Sequence, residues 1–231
     1  MNFEEMINNI KTDYKNIIIR LLFTVSLAIT SLGYTLLNNY RGKVYNIQTT
    51  LDTIIPFNKY FIVPYLIWYL YVGFFIFYYS IMDDKRYFKI LIGINVGMII
   101  SFIIFYFFPT TVPRPFVYGK DIFAKLVRLV YLNDNPYNCF PSIHVLDSVI
   151  IGAYVNRDPK ISSAVKIIST SIAISIIFST VFVKQHYVYD VVGGAALAYF
   201  MYFVCNYKEV SAKLACKMQV SSEKQVNVGE E

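Results

Sequence analysis

Charge is what this sequence has least of. Asp, Glu, Lys and Arg make up 16% of its 231 residues, against roughly 25% in soluble domains, while 56% of the chain is hydrophobic. That balance excludes an ordinary soluble domain and reads as an integral membrane protein. Cysteine is scarce as well. Cys139, Cys205 and Cys216 stand at no metal-ligand or redox spacing, so no zinc or dithiol site can be built on them, and Cys139 reads as a packed thiol. There is one Trp against 21 Tyr and 19 Phe, an aromatic load suited to lipid-facing and interfacial surfaces. The net charge is +6, but the basic residues are scattered between apolar runs. A nucleic-acid partner, which wants a concentrated basic face, is therefore excluded. No internal repeat and no low-complexity segment is visible. The opening stretch MNFEEMINNIKTDYKN places acids before the first apolar run, which lacks a small-residue cleavage pattern; a retained span is expected rather than a cleaved signal peptide.

What is present is a series of apolar runs near the roughly 20 residues that cross a bilayer. Asn16 to Leu37, Tyr60 to Ser80, Tyr87 to Phe108 and Ala164 to Val183 meet this directly. Tyr187 to Cys205 does so if Asp190 is tolerated in its first turn, and Ser142 to Tyr154, interrupted by His144 and Asp147, is the shortest. The expected fold is all-α: a polytopic bundle of six transmembrane helices over residues 16–206, with a cytoplasmic N-terminal segment, 1–15, and a cytoplasmic, partly disordered tail, 207–231. Of the 21 basic residues, 13 lie in the two terminal segments and in the connections around Lys85 and Lys160. By the positive-inside bias this puts both termini in the cytoplasm and both histidines outside. In the outer loop 109–140, Phe123, Leu126 and Val130 recur at helical spacing while Lys125 and Arg128 point elsewhere, the pattern of a short interfacial amphipathic helix.

Only two histidines exist, and both sit at the edge of an apolar run. His186 and Asp190, in VKQHYVYD, are four apart at an expected helix start, so their side chains can meet on one face. An ionisable residue in a span needs a partner or a task; the plainer alternative is a helix-terminal acid satisfying backbone N–H groups beside a snorkelling histidine. The second histidine follows a similar start. In FPSIHVLDS, Pro141 suits the first helical position, Ser142 offers a hydroxyl and a backbone N–H, and His144 falls in the first turn. Two helix N-termini on one side, each bearing a histidine, favour an anionic ligand; two unrelated interfacial histidines are the other reading. FFPTTVPRPF presents Arg114 between prolines that stiffen its backbone, and a guanidinium suits bidentate binding of phosphate oxygens. Lys184 is either a second cation for this site or a snorkelling lysine. Asp147 either orients His144 or pairs elsewhere in the bundle. Gly193 and Gly194 suggest close helix packing rather than substrate contact.

VPRP, PSIH and STVFVKQHYVYD resemble, in order and spacing, the three signature segments of the type 2 phosphatidic acid phosphatase and vanadium haloperoxidase superfamily. Arg114 and Pro115 match the first segment, Pro141, Ser142 and His144 the second, and Ser179, His186 and Asp190 the third. A lysine, a glycine and a second arginine of that pattern fall here on Phe107, Ile143 and Thr180, which leaves Lys184 as the candidate replacement cation. Together with LDTIIPF leading into PYLIWY, this set is similar to the branch that includes inositol phosphorylceramide and sphingomyelin synthase relatives. The resemblance implies a membrane lipid-phosphate phosphatase in which His186 attacks phosphorus, Asp190 holds its opposite ring nitrogen, and His144 protonates the leaving alkoxide. Arg114, Lys184 and the N–H groups around Ser142 would stabilise the non-bridging oxygens. No metal or other cofactor is implied. The expected partner is a lipid-phosphate substrate at the outer face of the plasma membrane; oligomeric state is left open. A phospho-headgroup transferase working through the same intermediate, and a non-catalytic lipid-phosphate binding or transport protein, are the alternatives.

Overall fold

The computed structural model describes residues 3–40 and 42–208; Cys216 and most of the expected cytoplasmic tail lie outside them. Helices follow the apolar runs: α1 (Phe3–Phe23), α2 (Val25–Leu37), α3 (Thr50–Ile54), α4 (Ile62–Met82), α5 (Asp84–Phe107), α6 (Ile122–Asn133), α7 (Ile143–Arg157), α8 (Ser163–Phe182) and α9 (Val188–Cys205). A 3-10 turn, Lys59–Phe61, leads into α4. The described residues contain no strand, only isolated bridges pairing Tyr45 with Thr110 and Thr111 with Tyr137.

Among the described residues, five stretches are long and apolar enough to cross a membrane: Glu4–Leu37, Lys59–Met82, Asp84–Phe107, Ser163–Phe182 and Val188–Cys205. Large apolar side chains such as Ile29, Leu36, Leu70 and Phe107 remain exposed along them. An apolar surface of this extent is stable against lipid and not against water, so the protein is an all-helical, polytopic membrane protein. The first stretch begins well before Asn16. Glu4 and Glu5 occupy the first turn of α1, where acids complement the helix dipole, and Thr24 forms the turn between α1 and α2.

Hydropathy ranks the PSIH run last, and α7 is indeed only 15 residues long. Its surroundings explain how it is tolerated. It packs against α9, α8, α5 and α4 and buries most of its length, from Val145 to Val155, including Asp147 and Ser148. Leu146, Ile150, Ile151 and Tyr154 join Tyr79, Ile90, Ile94 and Ile176 in the main core. α7 is thus enclosed by protein over most of its length, and Asp147 and Ser148 are buried with it. The amphipathic segment of the 109–140 loop folds as α6, with Phe123, Leu126 and Val130 packed on a second cluster around Ile62, Tyr65 and Val183.

The start of α7 lies against the first turns of α9. Ser142 donates its N–H to the Asp190 carbonyl at 3.0 Å. A Cβ on Gly194 would stand 2.5 Å from the Ser142 carbonyl oxygen, and one on Gly193 would stand 2.4 Å from the Phe140 ring. These glycines permit backbone contact, in line with the packing expected of them. Gly194→Ala should therefore lower stability by about 1–3 kcal/mol through overpacking against backbone. A melting temperature in detergent equal to or above that of the unmodified chain would show that α9 has room to spare.

Candidate active site

The connections at the histidine end of the bundle are pinned by a network of hydrogen bonds. Thr110, fully buried, accepts the backbone N–H groups of Cys139 and Phe140 on its hydroxyl at 3.0 and 2.8 Å. Tyr45 N–H donates to the Pro109 carbonyl, and Thr111 N–H to the Tyr45 carbonyl. These bonds fix the VPRP segment beside the residues that lead into α7. Burial pushes the Cys139 thiol pKa up, which disfavours a reactive thiolate and fits a packed thiol.

Two details at the helix starts differ from the sequence expectation. Ser142, not Pro141, directly precedes the helix: it is the N-cap of α7, and its hydroxyl accepts the Val145 N–H at 3.5 Å. His186 lies outside α9, whose N-cap is Tyr187. The histidine and Asp190 are neighbours all the same, with His186 Nδ1 3.4 Å from Asp190 Oδ2 though not hydrogen-bonded to it. Helical i, i+4 register is not the cause. The same Asp190 oxygen accepts the Tyr187 N–H at 2.7 Å, so the carboxylate folds back over the helix start and reaches the preceding histidine.

The connection from α8 to α9 is held from several directions. The Thr180 carbonyl accepts the N–H groups of both Gln185 and His186. Tyr131 donates its hydroxyl to the Val183 carbonyl at 2.6 Å, and Asn58 N–H donates to the Phe182 carbonyl. Lys184 adopts a positive φ of 54° and sends its ammonium to the carbonyls of Asp52 and Ile55, at 3.0 and 2.5 Å. The structure thus does not bring Lys184 to the histidines. It ties their loop to the segment around α3, where desolvation pushes its pKa down.

Asp52, a residue that sequence reasoning did not single out, completes this clamp. It is buried; Oδ2 accepts the Thr49 N–H and hydroxyl at 2.7 and 2.6 Å, and Oδ1 accepts the Val188 N–H at 2.8 Å. One carboxylate therefore caps α3 and also the first turn of α9. The nearest sequence signal is the T-x-x-D capping pattern at Thr49 and Asp52, which marks a helix start but not the distant partner.

His144 and His186 face each other with ring centroids 6.0 Å apart. His144 is stacked on Tyr65 at 4.5 Å and lies against Trp68 at 4.3 Å. Both histidines line a cavity of about 330 Å³, walled on one side by Tyr34, Tyr65, Trp68 and Tyr69 and on the other by the Asn133–Cys139 segment. Asp147 is buried in α7 without bonding His144; its Oδ1 has no hydrogen-bond partner. Arg114 approaches from behind the cavity wall. Its guanidinium donates to the Tyr131 and Asp134 carbonyls and, at 2.5 Å, to Gln185 Oε1. The Asp134 carboxylate lies 3.5 Å from it and also accepts from Tyr34 and Asn38. Several buried atoms here make no hydrogen bond to protein: His144 Nε2, His186 Nδ1, Arg114 Nε, Gln185 Nε2 and Asp190 Oδ1. Buried polar groups are seldom left unpaired, and such a concentration marks a polar site. Phe107, where the resemblance expects a lysine, is 75% exposed and adds nothing to it.

The fold and this pair of histidines define a helical membrane protein with a polar site at one end of its bundle. The PAP2 superfamily model matches residues 47–204, and the chain belongs to that superfamily. This supports an activity of the phosphatase or phosphotransferase type. Neither a curated protein nor a solved structure gives a significant match. The match begins just before Asp52 and takes in all three signature segments.

Asp52→Ala removes the acceptor for Val188 and Thr49 and should cost about 1–3 kcal/mol, read as a lower melting temperature in detergent. Asp52→Asn keeps one oxygen and should lose less. An alanine variant that melts like the unmodified chain would mean the clamp contributes nothing.

Proposed function

We propose that the protein is a membrane lipid-phosphate phosphatase acting through a phosphohistidine intermediate on His186. The observation that carries this reading is the placement of His186, backed by Asp190, across one cavity from His144 in a chain of the PAP2 superfamily. With Nδ1 turned to Asp190, the lone pair for attack is on Nε2. Attack forms the N–P bond as the phosphorus–alkoxide bond breaks. The positive charge that develops on the imidazole is compensated by the Asp190 carboxylate. His144 gives the leaving alkoxide its proton and then takes one from the water that cleaves the N–P bond. If a second alcohol replaces that water, the same intermediate makes the protein a headgroup transferase of the inositol phosphorylceramide synthase type.

Arg114 and the helix start at Ser142 are the phosphate-binding groups in this reading. Arg114 Nε has no protein partner and is available to a phosphate oxygen, while bidentate binding needs the guanidinium to release Gln185 or Asp134 from its Nη2 side. That engagement is also what favours the second reading, a lipid-phosphate binding or transport protein without chemistry. In the membrane, α7 makes the sixth crossing with the surrounding helices, α6 lies at the outer surface, and both termini are cytoplasmic. The site then opens at headgroup level on the outer face of the plasma membrane, where a substrate with a phosphate and lipid tails presents its ester.

The test is phosphate release from short-chain phosphatidic acid by the purified protein in detergent with chelator present. Release should vanish in His186→Ala. Asp190→Asn should fold and turn over about 100-fold more slowly or worse, the usual scale for losing acid–base support, and Arg114→Lys should raise KM because a point charge replaces the fork. Near-normal turnover in Asp190→Asn would remove its assigned role. Binding of the lipid without release in any variant would favour the non-catalytic reading.

A further inference from the structure

Gln185 lines the histidine cavity, and Arg114 does not. Gln185 directly precedes His186, is only 3% exposed, and spends its backbone N–H on the Thr180 carbonyl at 2.9 Å. Its side chain stands between the guanidinium and the cavity. Arg114 Nη2 donates to Gln185 Oε1 at 2.5 Å. A guanidinium has donors only, so this contact decides which end of the amide is which. The oxygen is turned to Arg114, and the NH2 group is left on the other side. Gln185 Nε2 is buried and makes no hydrogen bond to protein.

The guanidinium that holds this amide is itself fixed. It lies 4.6 Å over the Tyr131 ring, donates from Nη1 to the Tyr131 and Asp134 carbonyls, and has the Asp134 carboxylate 3.5 Å from Nη2. Neighbouring positions on the same connection spend their donors elsewhere. Thr180 gives its hydroxyl to the Ile177 carbonyl at 2.8 Å, and Lys184 gives its ammonium to Asp52 and Ile55. A buried donor left without an acceptor is costly, and Arg114 Nε is a second one in the same hydrogen-bonded unit. Two such donors beside a cavity that holds both histidines suit a ligand rich in acceptor oxygens.

We propose that Gln185 is a phosphate-binding residue of this site: its Nε2 donates to a non-bridging oxygen of the bound phosphate while Oε1 keeps its bond to Arg114. This rests on the reading that the histidine cavity holds a lipid phosphate, and adds to it a neutral donor backed by a charge. Arg114 polarises the amide through Oε1, which strengthens the N–H bond that Gln185 offers. A phosphate held in this way leaves the contact between Arg114 and Gln185 intact.

The chain has four glutamines, Gln48, Gln185, Gln219 and Gln225. With side-chain amides labelled with heavy nitrogen, the Gln185 signal is assigned in the full chain in detergent by substituting the other three in turn. It should move as inorganic phosphate is added with chelator present. Phosphate affinity should fall about 10- to 100-fold in Gln185→Leu, the scale of losing a hydrogen bond to a charged group. Gln185→Glu separates phosphate binding from a merely structural role. Its carboxylate still accepts from Arg114, so it should melt with the unmodified chain, but it offers no N–H, and phosphate affinity should fall at least as far. A Gln185 signal that stays still on phosphate addition, or a Gln185→Glu variant that binds phosphate like the unmodified chain, overturns the proposal. A moving signal in a chain that releases no phosphate from short-chain phosphatidic acid supports it and overturns the phosphatase reading alone. Release with a stationary signal does the reverse.

Discussion

The backbone contact between the start of α7 and the first turns of α9 is the constraint on which the rest of the site depends. It joins the Ser142 N–H to the Asp190 carbonyl and is possible only because Gly194 presents no side chain to the Ser142 carbonyl. The two histidines come from segments more than 40 residues apart in the chain. They lie within one ring-to-ring contact because two helix N-termini are locked at the same level.

Asp190 serves this junction with two groups and three partners. Its carbonyl receives Ser142, its Oδ2 caps Tyr187, and the same oxygen approaches His186. A carboxylate already held by a backbone N–H has little freedom, so its place beside the imidazole, 3.4 Å from Nδ1, is set by the helix start. Asp52 and Lys184 brace the same loop from outside by binding its backbone and that of the α3 segment to each other. The turn bearing His186 is therefore held on both sides by charged groups whose hydrogen bonds are made to main chain. Such bonds fix geometry independently of which side chains fill the cavity, and leave the aromatic wall of Tyr65 and Trp68 to set the apolar surroundings of His144.

Much of the candidate site was legible in sequence. His144, His186 and Asp190 stood out because polar residues at the edge of apolar runs need a reason to be there, and VPRP, PSIH and the HYVYD segment carry their spacing locally. Lys184 misled for a physical reason: its two-residue distance from His186 says nothing of the positive φ that turns its side chain toward Asp52. Gln185, Asp134 and Thr110 were missed because each acts on a residue 20 to 71 positions away, and no local periodicity encodes such a partner.

Composition and periodicity by themselves determined that the chain lives in a membrane, that it is helical, and where the apolar helices and the amphipathic α6 run, since burial in lipid and helical repeat are properties of consecutive residues. Only the tertiary structure decided that the shortest apolar run would be the enclosed centre of the bundle, that His186 would meet Asp190 through a helix cap, and that Arg114 would be engaged by Gln185 and Asp134. These depend on which segments lie side by side, and that is set by close packing at a few glycines and by hydrogen bonds between residues remote in the chain.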